Sequence, residues 1–157
     1  MKHSEEYIEG RLKWRGKKNG LPKKNSHFFE ELKSEEKQKF ETILSSSKIG
    51  LPVIVFNSVD NHWTVFGTRM LASGSDSSFE SMEYSEIDEH TFGDDPLGVF
   101  SDSEPKNLNR FRKFKQSQIL VREKGGRMMT LHGSKGEEIY DMYNIMLMLE
   151  RMTKDSN

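Results

Sequence analysis

Residues 118–149 read QILVREKGGRMMTLHGSKGEEIYDMYNIMLML, and the fold class follows from this stretch. Gln118 to Glu123 and Arg127 to His132 are two short apolar runs joined through Lys124-Gly125-Gly126. Runs of this length and composition predict strands. The glycine pair supplies the positive φ angles that a tight hairpin turn needs. The period then changes. Ser134-Lys135-Gly136-Glu137 has the capping-box pattern, with Ser134 as N-cap and Glu137 reaching back. Ile139, Met142, Tyr143, Met146 and Leu149 follow at helical spacing. Glu137 and Glu138 lie at the positive end of this helix, and Arg151 and Lys154 near its negative end. Ile145, Leu147 and Met148 widen the apolar surface beyond one stripe, which implies either deep burial or a second face for a partner. Strands followed by a helix predict an antiparallel α+β domain.

Upstream, Leu51-Pro52-Val53-Ile54-Val55-Phe56 is a short β-branched run, and Ser58-Val59-Asp60-Asn61 is a turn. His62 to Ala72 alternates, with Gly67 marking a bend or bulge. Phe79 to Tyr84 and Ile87 to Phe92 read as two more short strands, separated at Ser85-Glu86. Before all of these, Phe28, Phe29, Leu32, Phe40, Ile43 and Leu44 recur at mostly helical spacing, and Ser34 with Glu35 and Glu36 resembles a helix start. Residues 1–25 hold Gly10, Gly16, Gly20 and Pro22 among lysines, so they read as a basic, flexible tail with Leu12 and Trp14 as its docking candidates. The expected organisation is that tail followed by a single α+β domain over 26–157. Residues 93–109 read as a long loop.

The chain has 157 residues, enough for one domain with a core of its own. Cysteine is absent, which excludes disulfides, thiolate metal sites and a cysteine nucleophile, and fits a cytoplasmic chain. The longest apolar run is too short to span a bilayer, and Met1 to Glu6 lacks the apolar stretch of a secretory signal. The net charge of −1 hides strong sorting. Residues 1–25 carry eight Lys/Arg and three Glu. Residues 70–105 carry no Lys or Arg and ten acids: Asp76, Glu80, Glu83, Glu86, Asp88, Glu89, Asp94, Asp95, Asp102 and Glu104. Residues 106–127 reverse this, with eight Lys/Arg and one acid. Such blocks either neutralise each other across the fold or leave a local field for a partner.

Two further stretches suggest a family. Thr64-Val65-Phe66-Gly67-Thr68-Arg69-Met70-Leu71 is similar to the strand where bacterial PH-like domains carry a Thr-x-x-Arg-Leu pattern. Tyr84-Ser85-Glu86-Ile87 is similar to the Tyr-Ser-Asp-Ile step between their strands. With the element order, residues 35–152 thus resemble a bacterial PH-like domain. The resemblance implies a bent antiparallel sheet or partly open barrel, with the final helix plugging one end. The long 93–109 segment departs from the family's short connections. Phosphoinositide-binding members gather Lys and Arg around the first hairpin. Here that hairpin, Asn57 to His62, has neither, so several cations for phosphate oxygens are missing there.

Motifs for catalysis are absent. No Gly-x-Ser-x-Gly elbow and no paired-histidine metal motif occurs, and Gly133-Ser134-Lys135-Gly136 lacks P-loop spacing. Asp88, Glu89, His90, Asp94 and Asp95 form a cluster of hard ligands, but Asp88 and Glu89 do not converge on a metal if they alternate across a strand. The expectation is a non-catalytic chain without cofactor or metal. Its expected function is protein binding through an acidic face built from Glu80, Glu83, Glu86, Asp88, Glu89, Asp94, Asp95, Asp102 and Glu104. A basic protein is the expected partner, as for an immunity protein that covers a nuclease toxin. The alternative is a PH-like module that binds an anionic surface, membrane or nucleic acid, through its basic segments. Arg110, Arg112, Lys113 and Lys115, interleaved with Phe111 and Phe114, are candidates for that role. An enzyme is the third class and would need a pocket with convergent polar groups.

Overall fold

The computed structural model describes residues 3–92 and 117–155. In chain order the elements are α1 (Glu5–Lys18), β1 (Ser26–Phe28), α2 (Ser34–Ile43), β2 (Pro52–Asn57), β3 (His62–Gly67), β4 (Met70–Ser75), β5 (Phe79–Glu83), β6 (Ile87–Phe92), β7 (Gln118–Glu123), β8 (Met128–His132) and α3 (Glu137–Asp155). The domain is α+β. Five antiparallel strands form one sheet in the order β1-β2-β3-β4-β5, and three form a second in the order β6-β7-β8. Among the described residues the two sheets are not closed into a barrel, and a helix stands at each end. Among the described residues no helix is long and apolar enough to cross a membrane.

The larger sheet has two apolar faces, which explains the unbroken apolar run 53–56. Ile54, Phe56, Phe66 and Leu71 join Ile119, Val121, Met129 and Leu131 of the second sheet and the α3 side chains in the main core. Val55, Val65, Trp63 and Ala72 point the other way, toward Phe29, Leu32, Phe40 and Leu44 around α2. Alternate residues of a strand face opposite sides, so each face needs its own cover. Thr64 stitches the sheets together. Its hydroxyl donates to the His132 carbonyl at 2.8 Å and accepts from the His132 N–H at 2.8 Å.

Four local expectations change. The alternating segment 62–72 is two strands, because the chain folds back at Thr68-Arg69. Gly67 permits this: a Cβ there would stand 2.3 Å from the Ile49 carbonyl oxygen. The capping box does not form. The Ser134 hydroxyl donates to the Asn57 carbonyl at 2.6 Å, and α3 begins at Glu137 after Gly136 at φ +94°. Its two leading acids hold the N-terminal segment instead. Glu138 accepts from the Asn25 N–H at 2.8 Å and the Ser26 hydroxyl at 2.6 Å, and Lys23 pairs with Asp141 at 2.6 Å and Glu137 at 3.3 Å. Partial burial disfavours the Lys23 ammonium, but its hydrogen bonds and the charge of Asp141 and Glu137 hold it above the usual lysine range. Asp88 and Glu89 also escape strict alternation. The register between β6 and β7 shifts from Ile87 to Glu89, and the irregularity lets both carboxylates reach Arg122.

The largest change is at the N-terminus. Residues 5–18, read as part of a flexible tail, form helix α1. Ser4 caps it by accepting from the Tyr7 N–H, Glu5 and Glu6 occupy its first turn, and Arg15, Lys17 and Lys18 its last. Leu12 is fully buried in the main core. Gly16 allows the close approach to the sheet: a Cβ there would lie 2.8 Å from the Phe28 ring and 3.3 Å from Ile54. Glu5 latches the helix start, accepting from the Thr68 hydroxyl at 2.7 Å and from Arg69 at 3.0 Å. Glycine and lysine content suggested disorder, while three turn-spaced positions, Ile8, Leu12 and Gly16, supplied enough contact for docking.

Candidate functional site

Helix α1 lies against α3, and a groove of about 460 Å³ runs between them. One wall carries Tyr7, Arg11, Trp14, Arg15 and Lys18 from α1. These positions recur every three or four residues, so they share one face of the helix. Partly buried Ile8 and buried Leu12 and Gly16 occupy the neighbouring face. The other wall and floor carry Asn144, Leu147, Met148, Arg151 and Met152 from α3. This accounts for the widened apolar surface of α3. Ile145 is fully buried in the main core, and Leu147 and Met148 line the groove.

The groove is cationic throughout. Among the described residues Arg11, Arg15, Lys18 and Arg151 line it and no carboxylate does. Among the described residues none of the four has an ion-pair partner. The Nε atoms of Arg11 and Arg15 are buried and without any hydrogen-bond acceptor. A buried donor left unpaired costs on the order of 1–3 kcal/mol. Two of them, one helical turn apart, mark a place where acceptors are lacking. Trp14 is 45% exposed and Tyr7 47%. The Arg11 guanidinium stands 4.4 Å from the Trp14 ring centre and the Lys18 ammonium 4.8 Å from it. Cation–π attraction thus gathers the charges beside an accessible aromatic ring.

The acidic residues are placed differently. Glu80 and Glu83 lie on β5, Glu86 ends the short turn Tyr84–Glu86, and Asp88 and Glu89 lie on β6. Arg122 bridges Asp88 at 2.9 Å and Glu89 at 2.7 Å. Arg127 lies 2.8 Å from Glu123 and 3.8 Å from Glu80, and donates to the Ser81 carbonyl. The β7–β8 hairpin therefore neutralises much of the described acidic strip. Glu83 and Glu86 have no ion-pair partner among the described residues. Asp94, Asp95, Asp102 and Glu104 lie outside the described residues, as do Arg110, Arg112, Lys113 and Lys115.

Two other sites are smaller or already engaged. A cleft of about 250 Å³ beside Ile8, Tyr84 and Leu149 has Arg69 at its edge, but Glu5 occupies that guanidinium. Tyr84 donates to the Gly67 carbonyl at 2.6 Å, and burial pushes its phenol well above the usual range. At the first hairpin His62 and His132 lie 4.3 Å apart with Asp60 beside them. Burial, then the charge of His62, holds His132 below the usual histidine value. Among the described residues no group of three or more His, Asp or Glu is arranged to hold a metal ion.

Comparison with known proteins gives no match: no family model, no curated protein and no solved structure aligns with this chain. The cationic groove was not among the sequence-derived site residues. Its signal was present in the spacing of Tyr7, Arg11, Trp14 and Lys18 and in the Ser4-Glu5-Glu6 helix start. Arg151, more than 130 residues away in the chain, carried no such signal.

Proposed function

We propose that this chain is a non-catalytic, PH-like binding module that takes an anionic partner in the groove between α1 and α3. The observation that carries the reading is four groove cations without a carboxylate partner among the described residues, two of them with buried, unpaired Nε atoms. Charges arranged in this way raise the local concentration of an anion and speed its association. The PH-like organisation is supported by four meandering strands, β2 to β5, then three, β6 to β8, then a terminal helix. The first hairpin, where phosphoinositide-binding relatives of such domains place their cations, carries no Lys or Arg, whereas the groove carries four cations. Titration with inorganic polyphosphate at low and moderate salt tests the reading. The expected outcome is salt-sensitive binding that is lost when Arg11 and Arg15 are both changed to glutamate. Equal binding by that variant would overturn it.

A second proposal concerns the acidic strip, as the surface of an inhibitor or immunity protein for a basic toxin. Glu83 and Glu86, without ion-pair partners among the described residues, favour it. It predicts co-purification of a basic protein at low salt that is released as salt is raised. Glu83→Lys with Glu86→Lys should abolish the capture, and retention by that variant would end the idea.

A further inference from the structure

We infer that the groove between α1 and α3 takes single-stranded nucleic acid, with its cations on phosphates and Trp14 against a base. The inference rests on the anion-binding reading and narrows it. Tyr7, Arg11, Trp14 and Lys18 alternate aromatic and cation along one helix face. At 1.5 Å per residue this row is about 16 Å long. A single strand presents the same alternation, a charge and a flat π face for every nucleotide. Stacking on aromatics tolerates any base, because every base has such a face. Arg151 of α3 faces the row from the opposite wall and closes the track on its second side.

A bilayer surface fits this arrangement less well. Helices that lie on membranes separate an apolar wedge from a flanking cationic face. Here the aromatics and cations share one stripe, and the apolar Leu147 and Met148 lie in the groove and not on a protruding edge. A flat surface does not reach a recessed floor, whereas a flexible strand enters it. A bare polyanion satisfies the cations but leaves Trp14, 45% exposed, with nothing to cover it.

The test uses the full chain and three probes: a short oligothymidylate, inorganic polyphosphate, and vesicles of phosphatidylserine with phosphatidylcholine. Trp14 emission reports directly, because Trp63, the other tryptophan, is buried. The expected result is tightest binding to the oligothymidylate with quenching of Trp14. Trp14→Leu should weaken that binding by about tenfold and change polyphosphate binding far less. Trp14→Phe should recover most of the loss. Thermal melting confirms that each variant is folded, which the exposure of Trp14 favours. If polyphosphate or vesicles bind as tightly as the oligonucleotide and Trp14→Leu changes nothing, the nucleic-acid inference falls and the anion-binding reading stands. If none of the probes binds at low salt, both fall.

Discussion

The acidic strip of β5 and β6 and the basic groove of α1 and α3 are two charged regions among the described residues, and they differ in what the fold does with the charge. On the strip, Arg122 and Arg127 reach across from the β7–β8 hairpin and pair with Asp88, Glu89 and Glu80. In the groove, four cations from two helices converge with no carboxylate between them among the described residues. The strip carries the more conspicuous block in the sequence, but the groove keeps more of its charge available among the described residues. A run of like charges along a chain therefore does not identify a binding face. What identifies it is whether opposite charges from other elements arrive at the same place.

Removing charge from each region separates the two cases. The largest effect is expected in the groove. Arg11→Ala with Arg15→Ala should lower polyanion affinity by about 100-fold and reduce the salt slope by about 1.4 for a single strand. The thermal midpoint should not fall, because removing two buried, unpaired Nε donors relieves a cost that offsets the lost Arg11–Trp14 contact. A large drop in the midpoint with intact binding would show that these arginines support the fold and not a ligand.

Next in size is the packing that holds one groove wall. Gly16→Val places a branched side chain where Phe28 and Ile54 already sit. Overpacking of this kind costs about 1–3 kcal/mol. Urea unfolding should show that loss, and anion binding should weaken with it as α1 lifts. Unchanged stability would mean that α1 does not depend on close contact with β1 and β2.

On the strip the expected effect is smaller. Arg122→Ala frees Asp88 and Glu89, but the pairs are half-exposed, so the stability loss should stay under about 1 kcal/mol. If the strip binds a basic protein, that variant should bind it more tightly and with steeper salt dependence. Weaker binding would remove the strip from the list of contact surfaces.

The smallest effect concerns the latch at the start of α1. Hydrogen bonds from Thr68 and then Arg69 hold the Glu5 carboxyl below its ordinary value of 4.5. A carboxyl lowered in the folded state adds stability above its unfolded value, and that addition is lost as pH falls through the lower folded value. Amide protection across 5–18, taken relative to the intrinsic exchange rate at each pH, should therefore fall on acidification below about pH 4.5, the ordinary value for Glu5. Glu5→Gln should flatten this dependence without touching the β-sheets. An unchanged profile would assign the acid sensitivity to other carboxylates.

The hairpin Gln118 to His132 and the terminal helix were legible in the sequence because local periodicity and a Gly-Gly turn state them outright. The strand over 52–57 was legible, as the run 51–56, from its short β-branched composition. The fold-back at Thr68-Arg69 was not, because alternation continues across it and the turn depends on the Ile49 backbone. Helix α1 was masked by its glycines. Gly16 weakens a helix locally but is what lets this one approach Phe28. The candidate groove was half legible, since one wall is a helical repeat of cations and aromatics and the other comes from the far end of the chain.

By itself, the sequence determined the α+β class, the antiparallel hairpin, the terminal helix and the sorting of charge. These depend on neighbours within a few residues, where periodicity and turn chemistry act. The tertiary structure alone decided which charges cancel. Arg122 meets Asp88 and Glu89 across a β-bulge, and Arg151 meets Arg11 and Arg15 across two helices. Electrostatic pairing acts through space over a few ångströms, and distance along the chain does not encode it.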